Sequence, residues 1–345
     1  MKVNRLKPSQ IFIRPTFFRH ESIQRGEDGV FKKSKLLLLI VFVFSAIIIG
    51  FITKSFADEK PKVVVVFKDL NSQYWEILNA GVIKGFQDFG IDGKVLAPRV
   101  GTIEEQNAIL EQVLKEKPDV LVVSPIVPSE AIPILEKFVE IDIPVLLLDT
   151  DDPWANKTSY IGTNNFELGE KAGSLIASHL QPGDEVALIG GDLSSPVSGD
   201  RMRGAKQSLE DAGIIVAAQI TELSNDSKPV RNAMTTILKN HHDIKGVMAS
   251  NDEIALKALD VINERGMNIP VTGADGTTEM LELIKDGTLP GTVAQNPYDM
   301  GYLSVENALK VAEGEKVEKN IDSGVDIIIK ENAEGRLKFL NKLLK

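Results

Sequence analysis

Six short runs of apolar residues recur along the chain from Lys62 onward, and valine, isoleucine and leucine dominate them. The runs do not alternate with polar residues, which is typical of strands buried on both faces of a sheet. We therefore predict core strands at KVVVVF (62–67), DVLVVS (119–124), IPVLLLD (143–149), EVALIG (185–190), IKGVMAS (244–250) and PGTVAQ (290–295).

Amphipathic stretches such as 102–117 and 251–266 separate these runs. The second has an apolar face that includes Ile254 and Ile262, and Gly266 marks its end, as expected of a helix. Strands that alternate with helices predict an α/β fold, with parallel sheets covered by helices on both sides. Because roughly 280 residues is large for one doubly wound sheet, we predict two. The junction is expected within TSYIGTNNFELG (158–169).

A continuous apolar run occupies residues 36–52 and directly follows three lysines. Its length fits a short membrane span or a long signal-peptide core. Since a basic flank stays in the cytoplasm, the rest of the chain is predicted to lie outside it. Ser55-Phe56-Ala57 provides small residues suited to cleavage, so residues 36–57 form either a transmembrane anchor or a signal peptide.

Residues 1–35 form a basic segment, which is interpreted as cytoplasmic or untranslated. Residues 1–29 show no periodicity and no core, whereas the chain from Val30 resembles the start of a secreted protein. Valine can be encoded by GTG, an alternative bacterial start codon, and Arg25-Gly26-Glu27 can be encoded by a purine-rich ribosome-binding sequence. We therefore hypothesise that translation begins at Val30. A peptide from residues 1–29 in the cellular protein would exclude this.

The charge and the cysteine count exclude several classes of function. Residues 1–57 contain ten Lys or Arg and three Asp or Glu, whereas the rest of the chain contains 29 basic and 46 acidic residues. Such an acidic body argues against nucleic acid as a partner. The chain has no cysteine, its four histidines lack metal-ligand spacing, and it has no phosphate-binding glycine motif. We predict no metal and no cofactor.

Polar and aromatic side chains follow most of the predicted strands directly. In parallel α/β sheets, ligands bind beyond the carboxyl ends of the strands. Carboxylates, amides and a guanidinium can bond vicinal hydroxyls, and flat rings can cover the C–H face of a sugar. These residue types therefore indicate a neutral polyol. The candidates are Asp69, Asn71, Ser72, Tyr74 and Trp75; Asp149 to Asp152 and Trp154; Asp200, Arg201 and Arg203; Asn251 and Asp252; Asp275; and Gln295 and Asn296.

Along residues 62–330 the sequence resembles the periplasmic sugar-binding proteins of the ribose-binding type. Eight landmarks occur in the family's order: LNSQYW, LVVSP, IPVLLLDTD, YIGTNN, GDRMRG, ASNDEIALKAL, VTGADGT and TVAQNP. The resemblance implies two doubly wound lobes joined by a three-strand hinge, with a sugar bound in the cleft between them. It also implies an extracytoplasmic binding protein, not an enzyme, that closes on its ligand and delivers it to an ABC permease.

The resemblance assigns roles to individual residues. The aromatic platform falls on Tyr74 and Trp75, and the first-loop amide position falls on Ser72. The other ligand-binding positions are Asp149, Arg201, Asn251, Asp275 and Gln295, and further candidate contacts are Asn71, Thr150 and Trp154. The hinge crossings fall at Thr163–Asn164, Gln295–Asn296 and Val325–Asp326. Lobe 1 is then 62–163 with 296–325, and lobe 2 is 164–295 with 326–345.

Two positions depart from the family's pattern. Ser72 stands where the ribose binders have an amide, and Thr150 stands where they have an arginine. Both changes remove donors to the sugar, which argues against ribose itself. Trp154 is expected to offer an additional stacking face.

Simpler interpretations apply to some of these residues. Tyr74 and Trp75 could pack on Leu78 at the start of a helix, Asn251 could serve as a helix cap, and Arg201 could lie on the surface. LLLDTDD also resembles the phosphatase motif of haloacid dehalogenases, with Asp149 as the nucleophile, although Asp152-Pro153 replaces the usual continuation.

Two other functions are weighed at the level of the whole chain. A sugar-sensing co-receptor for a membrane histidine kinase or chemoreceptor is one alternative. A transcriptional repressor is the other, and it is rejected because an apolar span occupies the place of a DNA-binding domain.

Overall fold

The computed structural model describes residues 40–43 and 60–344. Residues 40–43 are helical and their apolar side chains are exposed. The segments predicted at 1–35 and 36–57 otherwise lie outside the described residues, so the anchor or signal peptide and the start at Val30 stay predictions. In the two described ranges, no helix has the length and apolar character needed to cross a membrane.

The chain from residue 60 to residue 344 alternates between strands and helices. Its strands are β1 (Lys62–Val66), β2 (Asp92–Leu96), β3 (Val120–Val123), β4 (Val145–Leu148), β5 (Ser159–Gly162), β6 (Glu185–Ile189), β7 (Ile215–Ile220), β8 (Ile244–Ala249), β9 (Val271–Thr272), β10 (Thr292–Gln295), β11 (Asn320–Asp322) and β12 (Val325–Ile328). Its helices are α1 (Gln73–Phe89), α2 (Ile103–Glu116), α3 (Pro128–Val139), α4 (Asn165–Ala177), α5 (Pro196–Asp211), α6 (Ser227–Asn240), α7 (Asp252–Glu264), α8 (Thr278–Asp286), α9 (Pro297–Ala312) and α10 (Lys330–Leu343).

The first sheet has the strand order β11-β5-β4-β3-β1-β2, and its neighbouring strands are all parallel. Successive residues of a strand point to opposite faces. In β1, Val63 and Val65 belong to one buried cluster, whereas Val64 and Val66 belong to another. Both faces are therefore covered, which explains why no polar residue interrupts the valines.

The second sheet has the order β7-β6-β8-β9, again with parallel neighbours. A parallel bridge between Ala274 and Val293 places β10 next, and β10 pairs with β12 in the antiparallel sense. This pair departs from a purely parallel sheet because β12 returns from the first sheet and runs against β10. The predicted α/β class with two doubly wound lobes is confirmed. We call the part built on the first sheet lobe 1 and the part built on the second sheet, with β10 and β12, lobe 2.

The chain passes between the sheets three times. The first passage lies at 163–164, between β5 and α4, and the second at 295–296, after β10. The third lies between β11 and β12, directly before Val325. The three passages thus follow the carboxyl ends of β5, β10 and β11.

Helices α4 and α5 approach closely because glycines lie at their contact. A Cβ on Gly169 would lie 2.1 Å from the carbonyl oxygen of Arg201, and a Cβ on Gly204 would lie 2.1 Å from that of Phe166. Only a residue without a side chain permits this separation. The close contact brings Arg201, in the second turn of α5, beside Asn165 at the start of α4.

Candidate functional site

Two carboxylates at strand ends have an unusual backbone conformation. Asp149 follows β4 with a φ of 63°, and Asp275 follows β9 with a φ of 117°. Residues with a side chain rarely adopt a positive φ, and such conformations occur often at functional sites. Each lobe therefore presents one of the predicted site carboxylates from a turn of this kind, and Glu222, which follows β7 and was not predicted as a site residue, has a φ of 62° as well.

In lobe 1, the Asp149 carboxylate bonds to groups from the end of β1 and from α1. The Tyr74 hydroxyl donates to Asp149 Oδ1 at 2.7 Å, and the Lys68 ammonium donates to Asp149 Oδ2 at 3.1 Å. The ammonium also donates to the Thr150 hydroxyl. Since the Asp149 side chain is only 7% exposed, these charge-assisted bonds compensate for much of its lost hydration.

We call Lys68, Tyr74, Asp149 and Thr150 the lobe 1 wall of the cleft, and their charge states follow from these contacts. Burial raises the pKa of Asp149, but the Lys68 ammonium and the Tyr74 hydroxyl outweigh burial and hold the pKa below its ordinary value. Burial and the Asp149 charge raise the pKa of Tyr74 well above its ordinary value. Asp149 is thus an acceptor and Tyr74 a donor across the physiological pH range.

In lobe 2, the Arg201 guanidinium is buried and bonds at three points. Its Nε donates to Asn165 Oδ1 at 2.9 Å, and its Nη1 donates to the Ser250 carbonyl at 2.8 Å and to Asp275 Oδ1 at 3.2 Å. Three fixed acceptors leave this planar group little freedom to rotate. The interpretation of Arg201 as a surface residue is therefore wrong, because its side chain is only 3% exposed.

Arg201, Asn165 and Asp275 form the lobe 2 wall of the cleft, and Gln295 joins this wall to the passages between the sheets. Its Nε2 donates to Asp275 Oδ1 at 2.7 Å, and its Oε1 accepts from the Thr163 hydroxyl at 2.9 Å. The Tyr74 hydroxyl oxygen lies 3.5 Å from the same Gln295 Oε1. Burial raises the pKa of Asp275, and Arg201 and Gln295 oppose that shift. The polar groups of the two lobes therefore form one connected network.

A second buried aspartate shapes the loop that carries Asp275. Asp252 Oδ2 accepts the backbone N–H groups of Gly276 at 2.8 Å and Thr277 at 2.7 Å, and Oδ1 accepts from the Thr292 hydroxyl at 3.0 Å. Burial, with a contribution from Asp275, raises the pKa of Asp252 to about 8. Asp252 thus orients Asp275 through the backbone and does not itself face the cleft.

The lobes meet at a cavity of about 460 Å³. Gln73 of lobe 1 accepts the backbone N–H of Thr278 of lobe 2 at 2.7 Å beside it. Side chains of both lobes line the cavity: Gln73, Tyr74, Glu253, Leu256, Asp275, Thr277, Thr278, Glu279 and Glu282. Tyr74 and Asp275 are thus predicted site residues from different lobes that face one space.

The structure brings most predicted site residues into one network but not all of them. Tyr74, Asp149, Thr150, Arg201, Asp275 and Gln295 belong to it. Ser72 precedes α1 as its N-cap residue, with no side-chain capping bond, and Asn71 donates to Asp69. Asn251 caps α7 by accepting from Ile254 N at 2.8 Å and also donates to Asn225.

Both tryptophans pack mainly inside lobe 1. The Trp75 ring is 8% exposed and lies 5.4 Å from Phe67 and 5.2 Å, edge to face, from Tyr74. Trp154 is also 8% exposed, and its ring nitrogen donates to Glu136 at 2.6 Å. Most of the Trp75 ring is therefore packed inside lobe 1, in line with the simpler interpretation of this pair. Tyr74 provides the hydroxyl that joins the polar network.

Two residues of the network, Lys68 and Asn165, were not among the predicted site residues. Lys68 stands at the end of a predicted strand, and the same rule that selected Asp149 would have found it. Asn165 occurs in the sequence only as part of the landmark YIGTNN, whereas Asp252 is one of the predicted candidates. The bonds of Asn165 to Arg201 and of Asp252 to the Asp275 loop depend on the packing of distant segments, which no local pattern records.

Comparison with known proteins places this architecture in a family. The sequence profile of the periplasmic binding protein domain matches residues 63–316. The chain belongs to this family.

Relatives in the periplasmic binding protein family are named for several ligands. The ribose import binding protein RbsB of Bacillus subtilis (strain 168) is 29% identical over 254 residues, which cover 74% of this chain and 82% of the relative. An ABC transporter solute binding protein from Mycobacterium smegmatis, solved with bound glycerol, has a TM-score of 0.74 and 27% identity, and the match covers 80% of this chain and 96% of that one. GanP, a glucose-galactose binding protein from Geobacillus stearothermophilus, has a TM-score of 0.75 and 26% identity. That match covers 80% of this chain and 99% of GanP. Family membership therefore does not specify one ligand.

Proposed function

We propose that this chain binds a neutral monosaccharide, or a similar polyol, outside the cytoplasm and delivers it to an ABC importer. The observation that carries the proposal is the polar network at the junction of the lobes. Tyr74 and Asp149 contribute from lobe 1, and Arg201, Asp275 and Gln295 contribute from lobe 2. These are the donors and acceptors that sugar hydroxyls need.

The charge of the network favours a neutral ligand. Lys68 lies against Asp149, and Arg201 lies against Asp275. These two cations and these two carboxylates thus pair one to one. An ionised ligand would leave one charge of a mostly buried site without a counter-ion, which is costly.

Ligand binding is coupled to the separation of the lobes in this proposal. A sugar that bonds to Asp149 and Asp275 together stabilises the arrangement in which the lobes touch, because it gains both sets of bonds only there. Hinge closure of this kind is known for periplasmic binding proteins. The passages at 163–164, 295–296 and 323–324 would serve as the hinge, the third of them just before the predicted crossing at Val325–Asp326.

The relatives support import over sensing. The Bacillus subtilis relative is named for ribose import, and the Mycobacterium smegmatis relative is named as an ABC transporter solute binding protein. The co-receptor role predicted as an alternative gains no support from these names.

A thermal-shift screen tests the proposal. The purified full-length protein would be heated with D-ribose, D-allose, D-glucose, D-galactose, L-arabinose, D-arabinose or myo-inositol. A ligand at a hundredfold excess over Kd stabilises the folded form by about 2.7 kcal/mol, which raises Tm by several degrees. L-ribose is the control, since a general co-solvent effect would act equally on both enantiomers. No rise with any of these compounds would refute the proposal.

A further inference from the structure

The C-terminal helix α10 has two faces that differ in character. Ala333, Leu337 and Leu340 follow the i, i+4, i+7 spacing of one helix face, and all three are buried in an apolar cluster of lobe 2. Arg336 and Phe339 lie three residues apart on the neighbouring face, with Arg336 Cζ 5.8 Å from the centre of the Phe339 ring. The apolar face therefore anchors α10 in lobe 2, and the second face is free to contact something else.

Arg336 bonds to the second passage between the sheets. Its Nη2 donates to the Gln295 carbonyl at 2.7 Å, and its Nη1 donates to Asn296 Oδ1 at 3.1 Å. The Asp326 carboxylate lies 3.5 Å from the same Nη1, and the Arg336 side chain is only 17% exposed. A planar guanidinium that bonds to two consecutive residues holds both in a defined geometry. The C-terminal helix therefore fixes the point at which the chain leaves lobe 2 for lobe 1.

Asn296 extends this contact to the other two passages. It is the N-cap residue of α9, but its side chain makes no capping bond. Its Nδ2 donates instead to the Ser323 carbonyl at 3.3 Å. Ser323 donates to the Gly162 carbonyl from its backbone N–H at 2.7 Å and from its hydroxyl at 3.0 Å, and Gly162 ends β5 directly before the first passage. One chain of hydrogen bonds thus connects α10 with all three passages.

A ring contact joins the lobes beside this chain of bonds. Tyr298 lies in the first turn of α9, a helix anchored in lobe 1 by residues such as Met300. The Tyr298 ring lies 5.8 Å, edge to face, from the Phe339 ring of α10. Ile77 of α1, which is 3% exposed, belongs to the same buried cluster as Leu337. Although α10 is anchored in lobe 2, it therefore packs with residues of lobe 1.

These contacts depend on how the lobes are placed. Rotation of one lobe at the passages moves α9 relative to α10, and it therefore separates Tyr298 from Phe339 and Asn296 from Arg336. Contacts that exist in only one arrangement shift the equilibrium towards it.

We propose that α10 is a clasp that stabilises the closed arrangement, in which the lobes touch, with Arg336 and Phe339 as positioning residues. The clasp keeps a measurable fraction of the protein closed before any ligand binds. This role goes beyond the proposed function, because it requires only that the lobes can separate and does not depend on a sugar.

Distances between two spin labels test the clasp. Because the chain has no cysteine, Glu104→Cys and Lys228→Cys create the only two labelling sites, and both positions are exposed. Glu104 follows β2 and Lys228 follows β7, which are the edge strands farthest from the passages in their sheets. Opening therefore lengthens the distance between the labels. Pulsed electron paramagnetic resonance of the ligand-free, full-length protein measures the populations with short and long distances.

The variants should change these populations to different extents. Arg336→Met is expected to lower the ratio of closed to open protein about tenfold, as for a charge-assisted hydrogen bond. Phe339→Ala should lower it about threefold, since an aromatic pair contributes less. Lys338→Met is the matched control, because Lys338 lies on the same helix, is 75% exposed and pairs with Glu334. If Arg336→Met does not fold, Phe339→Ala still tests the clasp, because Phe339 is 42% exposed.

The affinity for sugars distinguishes a positioning role from a direct contact. Neither Arg336 nor Phe339 lines the cleft cavity. Each variant should therefore weaken the binding of every sugar found in the screen by one common factor, no larger than its change in the ratio of closed to open protein. A factor that differs between sugars would show a direct effect on the site and would overturn the positioning role.

The distance measurement decides the clasp independently of the proposed function. Unchanged populations in both variants, or a ligand-free parent protein with the long distance alone, would overturn the clasp. If no sugar binds but the populations shift as expected, the proposed function is refuted and the clasp is supported.

Discussion

The two walls of the cleft each contain a cation and a carboxylate, yet they hold them differently. In lobe 2, Arg201 is 3% exposed and bonds to Asn165, the Ser250 carbonyl and Asp275. In lobe 1, the cation is Lys68, which is 23% exposed and sits at the end of a flexible four-carbon stem. One wall is therefore fixed by its own scaffold, whereas the other keeps a donor that can reorient.

This difference leads us to expect a division of roles. Loss of the lobe 2 cation should harm folding as well as binding, because its partners are buried and lose hydrogen bonds. Loss of the Asp149 charge in lobe 1 should be milder for folding, because the Lys68 ammonium left behind is 23% exposed and water can reach it. The variants below test that order.

Arg201→Met is expected to have the largest effect. It leaves the Asp275 carboxylate without its cation and the Asn165 side chain without a donor, which should lower the free energy of unfolding by about 3–5 kcal/mol. Urea unfolding of the full-length protein measures this loss. Sugar binding should also disappear in the fraction that remains folded.

Arg203→Met is the control for that variant. Arg203 lies on the same helix, but its side chain is 71% exposed and pairs with Asp200. Its removal should change the free energy of unfolding by less than about 0.5 kcal/mol. Similar losses in the two variants would remove the basis for treating the Arg201 wall as a fixed scaffold.

Asp149→Asn should have a smaller effect on stability, with a defined pH dependence. Near neutral pH the loss is expected to be about 1.5–3 kcal/mol, as for a charged hydrogen bond. Although burial raises the pKa of Asp149, Lys68 and Tyr74 bring it below its ordinary value. The carboxylate therefore stabilises the fold above the pKa of the unfolded chain, about 3.9, and this contribution is lost as the pH falls through the lower folded pKa.

The stability difference between the wild type and Asp149→Asn should thus be largest near neutral pH and vanish in strong acid. Urea unfolding at several pH values measures it. Asp151→Asn is the control, because Asp151 pairs with Lys157 and its side chain is 36% exposed. A difference that grows towards acid would show that Asp149 is not stabilised as an anion.

The sequence predicts the fold best where burial is complete. The valines of β1 and the leucines of β4 lie between two buried clusters, so an apolar run identifies them. Strand β2, at the sheet edge, exposes Asp92 and Lys94 and gives no such run. The antiparallel pairing of β10 with β12 depends on the path of the chain between lobes, and no local pattern records it.

The site was predicted in part for a related reason. Polar residues that come directly after strands, such as Asp149 and Asp275, can be predicted as site residues because ligands bind beyond the carboxyl ends of parallel strands. The placement of the aromatic pair cannot be predicted in this way, because successive helical residues point about 100° apart and the sequence does not record which of Tyr74 and Trp75 packs into the core. Only the packing of Trp75 against Phe67 shows which of them turns inward.

The smallest effect is expected where the two walls touch. Gln73 of lobe 1 accepts the N–H of Thr278 at the start of α8, while the Thr277 side chain, the N-cap of that helix, donates to Asp252 instead. The first N–H groups of a helix have no partner within it, so Gln73 provides a cap from the other lobe. The bond exists only when the lobes meet, and it therefore stabilises their contact and neither lobe alone.

Gln73→Ala should leave the free energy of unfolding of the ligand-free protein within about 0.5 kcal/mol of the wild type. It should weaken sugar binding about threefold to tenfold, as expected for one neutral hydrogen bond. Calorimetry measures the affinity, and Gln112→Ala, which removes an exposed glutamine that bonds to Glu116, is the control.

If affinity is unchanged while Arg201→Met and Asp149→Asn behave as expected, the walls bind the ligand without help from this contact. If affinity falls as far as it does on loss of either charge, contact between the lobes, and not the charged walls, dominates the binding energy.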